Sequence, residues 1–191
     1  MNQTMRRLLS GSAAIAAAAA IGGFMAPVTA QESADAKFLM QAIQDNMAEV
    51  KIGDFTKEHA TSEDAKDFGK MLANDHAKAL QKHASVAREK GITVPTEVTA
   101  EQKATFDKLS KLSGAQFDRE LGEAMVTDHQ KAIAAYQKEA MTGTDKDIVE
   151  LAQDTLPTLK EHLEHAQKLA AGGEIRTSQR PDSSGAPHRV E

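Results

Sequence analysis

Cysteine and tryptophan are both absent from this chain of 191 residues, which has a single tyrosine and six phenylalanines. Without cysteine, the protein can form neither disulfide bonds nor thiolate sites, and it cannot carry a lipid on an N-terminal cysteine. Its stability must therefore come from an apolar core, which one domain of this length is large enough to form. Alanine and leucine are abundant instead, as is typical of closely packed helices.

An excess of basic residues is also absent. The chain has 23 lysines and arginines against 28 acidic residues, a net charge of -5. Because nonspecific nucleic-acid binding depends on lysine and arginine neutralising phosphates, this balance argues against a nucleic-acid partner. No phosphate-binding loop, nucleophile elbow or Ser-His-Asp order occurs either. Hydrolase and nucleotide-binding functions are therefore not predicted, and an enzymatic function is the less favoured one.

The first thirty residues have the pattern of a signal peptide. Arg6 and Arg7, with no acid, precede an alanine-rich apolar stretch over 13–25, and small residues follow at Val28-Thr29-Ala30. The apolar stretch is shorter and less apolar than the ~20 residues that a retained transmembrane anchor needs. We therefore expect cleavage after Ala30, a periplasmic or secreted protein with no transmembrane span, and a mature net charge of -7 rather than -5.

Residues 31–171 have a helical period throughout, which predicts a single all-α domain. The expected long helices are Ala34 to His59, a second from a cap at 61–64 to Lys90, Ala115 to Met141, and Asp145 to Ala171. A short helix from Ala100 to Leu112 is expected in the connection between the second and third long helices. This order indicates a four-helix bundle of the ferritin-like kind. Residues 172–191 lack an apolar period and predict a disordered tail.

One segment of the predicted second helix recurs in the third. Residues 68–80, Phe-Gly-Lys-Met-Leu-Ala-Asn-Asp-His-Ala-Lys-Ala-Leu, align without a gap with residues 121–133, Leu-Gly-Glu-Ala-Met-Val-Thr-Asp-His-Gln-Lys-Ala-Ile. Each copy holds an Asp-His pair, at 75–76 and at 128–129. Adjacent residues on a helix point about 100° apart, so each pair flanks the apolar stripe. The repeat favours two similar helical hairpins.

Histidines on three predicted inward faces form the best candidate site. His76, His129 and His162 could meet at one level of the bundle, joined by Glu49 from the first helix. We expect the two Asp-His pairs and His162 to lie in the interior or along helix seams, with at least one contact between helices. The candidate metal ligands are Glu49, Asp75, His76, Asp128, His129 and His162. Such imidazole and carboxylate groups would suit a divalent transition metal such as iron, manganese, zinc or copper.

Two interpretations of these residues remain open. Ferritin-type di-iron centres need a Glu-x-x-His motif on two helices, and no such motif occurs here, so a bridged two-metal centre is not expected. The polar residues are then either a buried hydrogen-bonded layer that fixes helix pairing, which we prefer, or the ligands of a single ion. The spacing His162-x-x-His165 offers a further, surface metal site.

An ordered series of short motifs resembles the bacterial DUF4142 family. The motifs are Glu49-Val-x-Ile-Gly53, Phe68-x-x-Met-Leu-x-x-Asp-His76, Gly91-Ile-x-Val-Pro95, Phe117-Asp118, Asp128-His129 and His162. The resemblance covers residues from about 34 to 170. It implies an exported protein with a ferritin-like fold, whose biochemical role is not established.

Two functions are compatible with the sequence. The leading hypothesis is an exported helical-bundle domain without catalytic machinery that binds an unknown envelope or stress-related partner. The alternative is a metal-binding redox protein of ferritin-like ancestry, with a divalent transition metal as its cofactor.

Overall fold

The computed structural model describes residues 33–172, which form five α-helices and no strand. The helices are α1 (Ala34–His59), α2 (Glu63–Glu89), α3 (Ala100–Leu109), α4 (Gly114–Thr142) and α5 (Lys146–Ala170). The all-α prediction is confirmed. The predicted signal peptide, and the predicted tail apart from Gly172, lie outside the described residues. Within residues 33–172, no helix has the length and apolar character needed to span a membrane.

Side-chain caps begin four of the five helices. Ser33, Ser62, Thr99 and Asp145 each accept a hydrogen bond from a backbone N–H in the first turn of the helix that follows. These bonds satisfy donors that have no partner within the helix. At Thr99, the side chain of Gln102 also accepts from the backbone N–H of the cap, which completes a capping box.

The short helix α3 ends at Leu109, three residues before the predicted end at Leu112. After Leu109 the backbone changes to tighter turns, in which Lys111 and Leu112 donate to carbonyls three residues earlier. The carbonyl of Leu112 accepts a 2.7 Å hydrogen bond from His59 Nε2. The connection is thus tied to the end of α1, and the apolar residue Leu112 belongs to this turn rather than to the helix.

The long helices pack as two antiparallel pairs, α1 with α2 and α4 with α5, and the pairs meet chiefly between α2 and α5. By contrast, α1 and α4 contact each other little, and α3 contacts both of them. The connection through α3 runs back along the whole domain: Ile92 is buried near the start of α1, whereas Leu112 bonds to its end. As a result α2 and α4 run in the same direction.

The apolar core lies in separate clusters along the domain. Phe68, Leu72 and Phe117 belong to the cluster near the end of α1, and Leu39 and Ile148 belong to the cluster near its start. The buried polar side chains of Asn46, His76, His129 and His162 lie at the level between these two clusters. Because Leu72 and the polar His76 are four residues apart on one face of α2, the transition from apolar to polar packing takes a single turn.

Glycines allow both helix pairs to pack backbone to backbone. A Cβ atom on Gly53 would lie 2.6 Å from the backbone nitrogen of Ala73, and one on Gly69 would lie 2.8 Å from a backbone nitrogen of α1. In the other pair, a Cβ on Gly122 would overlap the backbone of Ala170 in α5. Glycine is therefore required at these positions for the close approach of the helices.

Replacing Gly53 by alanine should destabilise the fold. The added methyl group meets backbone rather than a mobile side chain, so α1 and α2 must move apart, and we expect a loss of about 1–3 kcal/mol in the free energy of unfolding. Urea denaturation measures it. Asn74→Ala on the exposed surface of α2 is the control and should change stability by less than about 0.5 kcal/mol. Equal urea midpoints for Gly53→Ala and the wild type would contradict the close approach.

Candidate metal centre

Three buried imidazoles meet in the polar layer. His76 of α2, His129 of α4 and His162 of α5 are 6%, 1% and 0% exposed. His162 Nδ1 lies 3.2 Å from His76 Nε2 and 3.3 Å from His129 Nε2. One ligand atom from each ring lies within 4.8 Å of the other two. The packing of α2 against α5 and of α4 against α5 brings the three rings to one point.

The opposite nitrogen of each ring contacts an oxygen. The contacts are His76 Nδ1 to Asn46 Oδ1 at 2.9 Å, His129 Nδ1 to the Met125 carbonyl at 3.0 Å, and His162 Nε2 to Asp75 Oδ2 at 3.3 Å. A carbonyl or ionised carboxylate oxygen can only accept, so each outer nitrogen must donate and carry the proton. A neutral imidazole has only one N–H. The three nitrogens that face one another are therefore unprotonated and present lone pairs.

The orientation of Asn46 supports this assignment of protons. Its Nδ2 donates to the Ala42 carbonyl at 2.7 Å, which directs its Oδ1 towards His76. With the amide in this orientation, Asn46 cannot donate to His76, so His76 Nδ1 must be the donor of this hydrogen bond. Asn46 is 3% exposed and belongs to α1, so all four long helices contribute to the polar layer. Sequence reasoning missed this residue, although its spacing of three residues from Ile43 and from Glu49 places it on the buried face of α1.

Burial keeps the three rings neutral. Desolvation lowers the pKa of His76 well below its ordinary value and lowers that of His129 to about 4, and the neighbouring imidazoles act in the same direction. Desolvation also lowers the pKa of His162, although the carboxylate of Asp75 opposes this effect. At neutral pH the lone pairs of all three rings are therefore available to coordinate a metal cation.

The three acidic candidates take different positions around the histidines. Asp75 is half-buried and accepts from His162, so it orients that ring. Glu49 Oε1 lies 3.8 Å from the outer nitrogen of His129, and Glu49 Oε2 has no hydrogen-bond partner. Asp128 is half-buried. Burial raises the pKa of Glu49 well above its ordinary value, and the charges of Asp128 and Asp45 add to this increase.

A cavity of about 350 Å³ lies beside the imidazoles, where α1 and α4 are apart. Two of the three histidines, His76 and His129, form part of its wall, together with Glu49 and Asp128. Residues of α3 close one side of it, including Gln102, which donates to Asp45 Oδ1 of α1 at 2.6 Å. The histidine site is therefore next to a chamber whose wall carries acidic side chains.

The surface site considered for His162 and His165 does not form. His162 points into the interior, whereas His165 is half-buried and stacks on Phe68 with ring centroids 6.3 Å apart. Their spacing of three residues leaves an angle of about 60° between them on the helix. On α5 that angle is enough to place His162 in the interior and His165 at the edge of the helix interface.

Comparison with known families gives one match. The family described as "Domain of unknown function (DUF4142)" matches residues 24–169. This chain belongs to the DUF4142 family. The resemblance inferred from its short motifs is thus confirmed. No curated protein and no solved structure matches the chain.

A fourth buried histidine of this DUF4142 domain is paired with its one tyrosine. His83 is fully buried, and its Nδ1 donates to the Ala79 carbonyl at 2.6 Å. Its Nε2 must therefore accept, and Tyr136 Oη donates to it at 2.8 Å. The sequence showed that His83 follows His76 on one face of α2 and that Tyr136 follows His129. It did not reveal that the two side chains meet between helices.

Replacing Tyr136 by phenylalanine should lower the free energy of unfolding by about 1–3 kcal/mol, because the fully buried Nε2 of His83 loses its donor. Urea denaturation measures the change. Ser85→Ala is the matched control: it removes a hydroxyl that donates to Glu89 on the exposed surface of α2 and should cost less than about 0.5 kcal/mol. If both variants unfold like the wild type, the hydrogen bond between Tyr136 and His83 contributes nothing.

Proposed function

We propose that this protein binds one divalent transition-metal ion through His76 Nε2, His129 Nε2 and His162 Nδ1. The observation that carries the proposal is the direction of the hydrogen bonds: each outer nitrogen donates to an oxygen, so each inner nitrogen presents a lone pair to the same point. A proton can bridge one pair of nitrogens, but the third then stays without a partner in the interior. A metal ion accepts all three lone pairs at once.

The distances support the same conclusion. A tetrahedral ion bound to imidazole nitrogens at about 2.0–2.1 Å requires those nitrogens to be about 3.3–3.4 Å apart. The two separations from His162 Nδ1 are 3.2 and 3.3 Å. Two of the three separations thus fit such an ion, and the third, between His76 and His129, is at most 4.8 Å.

The donor set favours zinc, copper or iron over manganese. Imidazole suits the first three ions, whereas manganese prefers carboxylate, carbonyl and water oxygens. The acceptors behind the rings also match a metal site, since histidine ligands usually donate their other N–H to a carboxylate or carbonyl. Asp75 behind His162 and the Met125 carbonyl behind His129 are such acceptors.

The alternative function is that of an exported domain without a metal, in which the histidines only hold the helices together. It is favoured by the hydrogen bonds from His76 to Asn46 and from His162 to Asp75, which join α2 to α1 and to α5. A docking surface for an envelope or stress-related partner has less support. Met141 is the one large apolar side chain that is exposed within residues 33–172.

We assign the arrangement of the long helices to the ferritin-like bundles. Two antiparallel pairs and a long connection that makes α2 and α4 parallel are features of that fold. The inner ligand set of three histidines, without Glu-x-x-His, differs from the two-iron centres of such bundles. An experimental structure with α2 and α4 antiparallel would contradict this assignment.

We expect this protein to be exported from the cytoplasm by means of a signal peptide. Arg6, Arg7, the apolar stretch 13–25 and the small residues at 28–30 support cleavage after Ala30 and a periplasmic or secreted location. Intact-mass measurement of protein isolated from the cell envelope and medium should give a chain that begins at Gln31. A mature species that begins at Met1 would rule out cleavage.

The metal proposal predicts about one zinc, copper or iron ion per chain in untagged protein purified from its own compartment, measured by elemental mass spectrometry. His162→Gln should lose this metal and the rise in melting temperature that metal confers on the wild type, because two imidazoles remain. His165→Gln is the control on the same helix, and it should keep both.

If the histidines only hold the helices together, the same measurements should give different results. Wild-type protein would then stay free of metal, even after zinc, copper or iron is added to the apoprotein. His76→Leu alone would lose about 1–3 kcal/mol of stability, because its buried partners remain unpaired. The double variant His76→Leu, His129→Leu would be tolerated better, since replacing a buried polar set with apolar groups is often neutral.

A further inference from the structure

The cavity connects the protein surface to the histidines. Its wall includes exposed residues at one end, among them Gln41 and Glu101, and buried residues at the other, among them Glu49, His76 and His129. His162 does not line the cavity, because it lies behind the other two rings on α5. A small solute that enters the cavity between α1 and α4 therefore reaches the site from the side of His76 and His129.

The cavity is lined by acidic side chains. They are Asp45, Glu49, Glu101 and Asp128. Lys131 is the single lysine or arginine among the lining residues, and it pairs with Glu101 at 3.3 Å at the exposed end. A cleft with one sign of charge raises the local concentration of counter-ions and can increase their association rate by about 10- to 1,000-fold. The solute that this cavity attracts is a cation.

Glu49 lies at the buried end with an oxygen that nothing satisfies. The residue is 7% exposed, its Oε2 has no hydrogen-bond partner within residues 33–172, and its Oε1 is 3.8 Å from His129 Nδ1. A buried polar atom without a partner is rare and costs about 1–3 kcal/mol, so it calls for a ligand. A carboxylate oxygen is a ligand for divalent metal ions.

We propose that this cavity is the entry route for the metal, and that Glu49 is a transient oxygen ligand that receives the cation before it moves to the three histidines. The inference rests on the proposed function, because the histidines are the destination. Asp45 and Asp128 supply the attraction along the route. The hydrogen bond from Gln102 of α3 to Asp45 of α1 joins these two helices beside the route.

The experiment follows the rate of metal uptake by the full mature apoprotein. Cobalt(II) is the probe, because its visible absorption changes when imidazoles bind it tetrahedrally. In stopped-flow mixing, Glu49→Gln should load at least about ten times more slowly than the wild type and reach the same final absorbance. Added salt should slow the wild type more than the variant, because it screens the attraction. Asp154→Asn, which removes an exposed charge of α5 that is not in the cavity wall, should load at the wild-type rate.

The outcomes separate the entry route from the metal site itself. A wild-type loading rate in Glu49→Gln overturns the entry route and leaves the histidine site intact. A lower final stoichiometry at an unchanged rate also overturns it, because Glu49 would then be a permanent ligand. If neither the wild type nor His162→Gln takes up cobalt(II), the proposed function fails and the entry route fails with it.

Discussion

The burial of three neutral imidazoles at one point is the constraint on which the rest of the domain depends. Each ring has one N–H, and each N–H must donate to an acceptor on the side that faces away from the other two rings. Asn46 on α1 accepts from His76 of α2, and Asp75 on α2 accepts from His162 of α5, so the positions of these three helices are set together. A shift of one of the three would leave a buried donor without its partner, at a cost comparable to a large share of the stability of such a domain.

The internal repeat has a physical explanation in this arrangement. Gly69 precedes His76, and Gly122 precedes His129, by seven residues, or about two turns, so each glycine shares a face with its histidine. The glycine lets the helix touch the backbone of its partner, and the histidine two turns later lies at the level of the polar layer. The aspartates of the repeat differ in role because they lie about 100° away: Asp75 bonds to His162, whereas Asp128 turns to the cavity.

Features encoded by local chemistry could be predicted from the sequence, and those set between helices could not. The cap at 61–64 and the apolar period located the helices to within a few residues. The inward positions of His76, His129 and His162 followed from the same period. The choice of protonated nitrogen depends on the rotation of each helix against its neighbours, which no local pattern specifies. For that reason Asn46, the bond between Tyr136 and His83, and the position of Glu49 on the cavity wall went unseen.

The same constraint favours the proposed metal ion over a proton as the occupant of the site. A proton would bridge two inner nitrogens and leave the third unsatisfied, and desolvation, which lowers the pKa of His129 to about 4, opposes its uptake at neutral pH. A divalent ion would engage three lone pairs, and the nearby acidic groups of Asp75 and Glu49 could offset its buried charge. Since such an ion would bind only when α2, α4 and α5 are assembled, its binding free energy would add directly to the stability of the fold.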